Sequence, residues 1–178
     1  MGEREVEVLL QAARSALEAG EAFGTQFLIP DVDRRWRVIC HDLEAVGQNE
    51  LGIPPKVFAY GAVGTLLGAL GAQECYVAEL AQLAASPTRA PSQAVIVTVF
   101  GKGRLDVHVY PYTQTDGCIT WGEPALTSTE QPGPLGAAVP LWRAVNRERS
   151  PMPPAEGLIE DMVDSGFVVI VEGGNGAG

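Results

Sequence analysis

Residues 94–112 read AVIVTVFGKGRLDVHVYPY, and this stretch decides the fold. Ala94 to Phe100 is nearly continuous in β-branched residues, the composition of a strand buried on both faces. Gly101-Lys102-Gly103 supplies a turn, and Leu105 to Tyr112 returns as the partner, so an antiparallel hairpin is expected. Alternation in the return strand sets Leu105, Val107 and Val109 on one face and Asp106, His108, Tyr110 and Tyr112 on the other. After Thr115-Asp116-Gly117, Cys118 to Trp121 adds a third strand, giving a meander over residues 94–121.

Working outward, Thr25 to Ile29 and Trp36 to Cys40 are short apolar strands joined by Pro30-Asp31-Val32-Asp33, a second hairpin. Glu3 to Ala19 places Val6, Leu9, Leu10, Ala13 and Leu17 on one helical face, with Gly20 as the stop; such a helix covers a sheet. Asp42 is suited to cap a short helix through Val46. Pro140 opens a helix carrying Leu141, Trp142 and Val145, and Pro153-Pro154 opens another through Leu158, Ile159, Met162 and Val163 to Gly166. Phe167 to Val171 is a closing strand. The stretch from Glu123 to Ala138 is rich in Pro, Gly, Ser and Thr and reads as a long loop, able to serve as a lid. The fold class is therefore α+β, a mainly antiparallel sheet covered by helices. A single domain is expected over residues 1–171, with a disordered glycine-rich tail over 172–178.

Between the hairpins, Lys56 to Leu83 carries Gly61, Gly64, Gly68 and Gly71, spaced three, four and three apart. On a helix these fall on one stripe, and Cys75 continues it; Val63, Leu66, Leu70, Val77 and Ala81 lie opposite. Each interior glycine costs a helix roughly 1 kcal/mol relative to alanine, so the bare stripe needs a close neighbour. That neighbour is a helix, a second subunit or a ligand. The uncharged run Val57 to Gln73 covers only about 25 Å as a helix, short of the roughly 30 Å of a bilayer core, so no membrane partner is expected.

The chain has 178 residues and a formal charge of −10, which argues against nucleic acid and anionic membrane surfaces as partners. Two lysines stand against ten arginines, a bias that suits a GC-rich bacterial genome. Cys40, Cys75 and Cys118 have neither metal-knuckle spacing nor disulfide parity, so free thiols in a cytoplasm are expected and no metal site. Residues 3–7, Glu-Arg-Glu-Val-Glu, are unlike a secretory leader. No nucleotide, hydrolase or metalloprotease motif occurs, so no catalytic residue and no cofactor is assigned.

Three constellations remain. Asp106, His108, Tyr110 and Tyr112 share a sheet face with Trp121 or Cys118 beside them, a set able to bind a small ligand or do acid/base work, or simply to form a solvated face. Cys40 and His41 are adjacent on a strand and point apart, so they cannot serve each other, although His41 could meet His108 across the fold. Arg34, Arg35 and Arg37 surround Trp36, and Arg143 and Arg147, with Arg149, end a helix; these are positive patches suited to an acidic protein surface or a small anionic ligand, or to ordinary surface ion pairs. The preferred expectation is a non-enzymatic accessory or regulatory protein, homo-oligomeric through the glycine stripe or a sheet edge. The alternative is a small-molecule pocket, binding or catalytic, floored by the Asp106 to Tyr112 face and covered by the 123–138 segment.

Overall fold

The computed structural model describes residues 2–32, 34–46, 52–85, 87, 92–131, 133–147 and 154–173. It is an α+β structure in which helices pack on both faces of an antiparallel sheet. The strands are β1 (Thr25–Pro30), β2 (Arg35–Cys40), β3 (Cys75–Leu83), β4 (Ser92–Gly101), β5 (Arg104–Thr115), β6 (Cys118–Trp121), β7 (Ala125–Thr129) and β8 (Val168–Glu172). The helices are α1 (Glu3–Glu18), α2 (Pro55–Leu70), α3 (Val139–Asn146) and α4 (Ala155–Asp164). Spatial order is β6-β5-β4-β3-β1-β2-β8, with β7 also pairing β5.

The decisive hairpin forms as its sequence dictates. Val97 stands opposite His108 and Val95 opposite Tyr110. Leu105 and Val107 join one apolar cluster and Tyr110 and Tyr112 the other, so the alternation reads the faces correctly. On one side α1 buries Val6, Leu9, Leu10 and Ala13 against Leu28, Tyr76, Ala78, Val95 and Val97. On the other, α2, α3 and α4 pack over Phe27, Ile29, Val38, Val77 and Phe100.

The largest correction concerns the glycine-striped helix. It stops at Leu70 instead of running to Leu83, because Gly71 adopts φ +63° and turns the chain out of the helix. Gly71 N–H then reaches the Gly68 carbonyl and Ala72 N–H the Leu67 carbonyl, satisfying the last turn. Cys75, Val77 and Ala81 consequently lie not on the helix but on β3, a strand between β1 and β4. Leu, Ala, Glu and Gln in this segment suit a helix, and pairing on both edges overrides that preference.

Two smaller corrections follow. Asp42 caps one turn instead of a helix: its carboxylate accepts from Glu44 N–H at 2.9 Å and Ala45 N–H at 3.3 Å. The 123–138 segment is not one loop, since β7 pairs with β5 from Leu105 to Val109 and a 3₁₀ turn spans Gly136–Ala138. Thr127, Ser128 and Thr129 are compatible with an edge strand, which their loop-like composition conceals. The closing strand reaches Glu172, one residue into the expected tail; residues 174–178 lie outside the described residues.

Candidate functional site

The sheet-face constellation is divided by α1. Tyr112 is buried beneath it and packs on Trp121 with ring centroids 5.3 Å apart. The guanidinium of Arg14, on α1, sits 5.0 Å from the centre of the Trp121 ring and closes that end of the face. Tyr110 is half-buried beside His108, whose ring it parallels at 6.4 Å.

Asp106 and His108 remain accessible, lining a cavity of about 330 Å³ at the start of α1 together with Glu74, Tyr76 and Arg104. The Arg104 Nε–H donates to Asp106 Oδ1 at 2.8 Å. Burial raises the Asp106 pKa, but hydrogen bonds from Ser128 and Arg104 and the Arg104 charge outweigh it and hold the carboxyl below its ordinary value. Burial lowers the His108 pKa, with the Arg104 charge adding to it against the opposing Asp106 charge. The pair is thus an ionised carboxylate committed to an arginine beside a histidine that favours its neutral form. Leu126 of β7 borders the same cavity, so part of the segment expected to act as a lid is instead a fixed wall.

The histidines do not meet. His41 follows the end of β2 and His108 lies on β5, with β1, β3 and β4 between, a lateral separation of roughly 19 Å at strand spacing. Cys40 and Cys75 are buried, and desolvation raises both thiol pKa values, as it does in inert core cysteines. No group of three metal-ligating side chains occurs among the described residues.

The first arginine cluster is split by strand alternation. Trp36 points into the helical core and is buried, while Arg35 and Arg37 emerge on the face that carries α1. Arg35 pairs with Glu5 at 3.3 Å and Glu172 at 3.6 Å, and Arg37 pairs with Glu172 at 3.1 Å. Of these three arginines, Arg34 is the one left exposed without an ion pair among the described residues. Trp36 is therefore not an exposed stacking platform.

The second cluster and the glycine stripe come together. The bare side of α2 faces α3, and Gly61, Gly64, Gly68 and Gly71 line one groove of about 280 Å³ with Pro140, Arg143 and Arg147. Gly64 is the contact point: a Cβ there would stand 2.9 Å from Pro140 Cβ and 3.1 Å from its carbonyl carbon and oxygen. At Gly61 a Cβ would meet nothing within 4 Å. The stripe is thus half helix crossing and half open wall. Arg149 lies outside the described residues.

A fourth feature escapes sequence reasoning. Among the described residues β8 ends the sheet, paired only with β2, and α1 touches β2 through the Glu5–Arg35 ion pair. Val168, Ile170 and Val171 are exposed at 40%, 38% and 49%. Val163 of α4, the helix packed on β8, is exposed at 50%. The one charge of the strand, Glu172, is tied to Arg35 and Arg37. A run of Val and Ile near the C-terminus marks a strand; that it lies at an edge depends on pairing with residues more than a hundred positions away.

Compared with known proteins, the chain matches no family model, no curated protein and no solved structure.

Proposed function

We propose that this acidic chain is a non-enzymatic accessory or regulatory protein of a bacterial cytoplasm, acting by protein–protein contact and associating with a second copy through β8. The observation that carries the reading is the edge itself. Four consecutive β-branched residues, Val168 to Val171, occupy an outer strand with one row of backbone N–H and C=O groups that pairs with no strand among the described residues. Sheet edges are ordinarily protected by lysine, proline, bulges or short length. At the opposite edge β6 has 4 residues, and β7, as short as β8 at 5, reads ALTST where β8 reads VVIVE, so the two edges differ in apolar character and not in length. β8 has no lysine or proline, and its only carboxylate is engaged by two arginines.

The strand is also suited to itself. An antiparallel pair centred on Ile170 sets Ile170 against Ile170 and Val169 against Val171, so apolar meets apolar at the centre, with Val168 against the arginine-bound Glu172 at either end. No helix of the described residues is long and apolar enough to cross a membrane.

Sedimentation of the wild type and of Ile170→Lys tests the reading. A dimer that the lysine converts to a folded monomer supports it. A wild-type monomer at every concentration, or a dimer indifferent to the lysine, overturns the edge as the contact.

The alternative, a ligand pocket on the sheet face, retains only the Asp106 and His108 end, since α1 covers Tyr112 and Trp121. His108→Ala would abolish ligand stabilisation there without altering the ligand-free Tm.

A further inference from the structure

We propose that the groove between α2 and α3 is a binding site for a small ligand bearing an oxyanion, a carboxylate or a phosphate, held by Arg143 and Arg147. The chain carries 22 acidic residues, yet among the described residues the ionisable side chains lining this cavity are two arginines. Neither makes an ion pair or a side-chain hydrogen bond among the described residues; Arg4 and Arg34 share that state, but Arg143 and Arg147 are the two that border one cavity. Arg143 lies in the last turn of α3 and Arg147 follows as its extended C-terminal cap residue, and both line the same groove. Like charges so placed repel each other, and an anion between them removes the repulsion.

The cavity supplies the second part of the argument. At about 280 Å³ it is near the lower end of the size range of small-molecule pockets, which suits a small occupant. Its α2 wall is backbone where Gly61 and Gly68 stand, and Ala72, Val139 and Pro140 give it apolar character. A flat or short apolar body can lie on that wall while its anionic end reaches the arginine forks. This site is separate from the β8 edge and stands or falls independently of it.

The test is thermal and calorimetric titration of the full chain with inorganic phosphate, succinate and citrate, against sodium chloride at equal ionic strength. Saturable binding of at least one probe is expected, phosphate or the carboxylates responding first according to which oxyanion fits. Arg143→Gln and Arg147→Gln should each weaken it about tenfold, and Arg143→Lys less, because lysine keeps the charge and loses the fork. Gly61→Leu keeps both arginines and fills the open wall, so it should exclude the probe while the protein stays folded. Absence of saturable binding by all three probes overturns the site. Equal binding by Gly61→Leu also overturns it, since the arginines would then capture ions without the cavity.

Discussion

Gly64 of α2 and Pro140 of α3 touch so closely that a Cβ on the glycine would come within 2.9 Å of the proline side chain and 3.1 Å of its backbone. Backbone cannot step aside as a flexible side chain can. The helices therefore approach at this point only because residue 64 lacks a side chain, and the seam is part of one subunit.

Gly64→Ala should destabilise the fold by roughly 1–3 kcal/mol through overpacking, despite alanine's better helix propensity. Gly61→Ala, which adds a methyl to open space, should stabilise it by about 0.5–1 kcal/mol. Urea denaturation of the two variants checks the contrast. Equal effects would mean that the glycines act as a uniform stripe instead of one contact and one open wall.

Gly71 stops the helix with φ +63°, and β3 begins four residues later. Gly71→Ala should cost roughly 1–2 kcal/mol in the same assay, with Asn tolerated better.

His108 gives a pH dependence whose sign is fixed. Its folded pKa lies below the ordinary 6.5, so the unfolded chain binds the proton more readily. Its contribution is fully present above 6.5 and is lost as pH falls through the folded value. His108→Gln should therefore lose less stability than the wild type when the pH is lowered from neutral through the histidine range. Thermal melts of both proteins across that range report the difference.

Arg14 and Trp121 connect α1 to the far edge of the sheet through a 5.0 Å cation–π contact. Arg14→Gln should cost about 0.5–1 kcal/mol and loosen the covering of Tyr112, read as faster amide exchange in β6.

What was legible in the sequence is what local chemistry encodes. The β-branched run at 94–100 and its glycine turn specify a hairpin without outside help, and Val6, Leu9, Leu10 and Ala13 specify a sheet-facing helix. β3 was not legible, because its alanines, leucines and glutamate suit a helix until β1 and β4 pair with it. The division of the Asp106 to Tyr112 face was equally hidden, since α1 covers it from nearly a hundred residues away. Arg143 and Gly61 each stood out in the sequence, but only the packing of α3 on α2 places them around one groove.

The most direct measurement of the central claim is amide hydrogen exchange across Val168–Val171 as protein concentration is raised. Among the described residues β8 has β2 on one side only, so alternate N–H groups point away from the sheet. If two copies pair through this edge, those outward amides become protected with concentration while the rest of the sheet does not change. Rapid exchange of the outward amides at all concentrations, in a protein that nonetheless sediments as an oligomer, would contradict the edge as the interface.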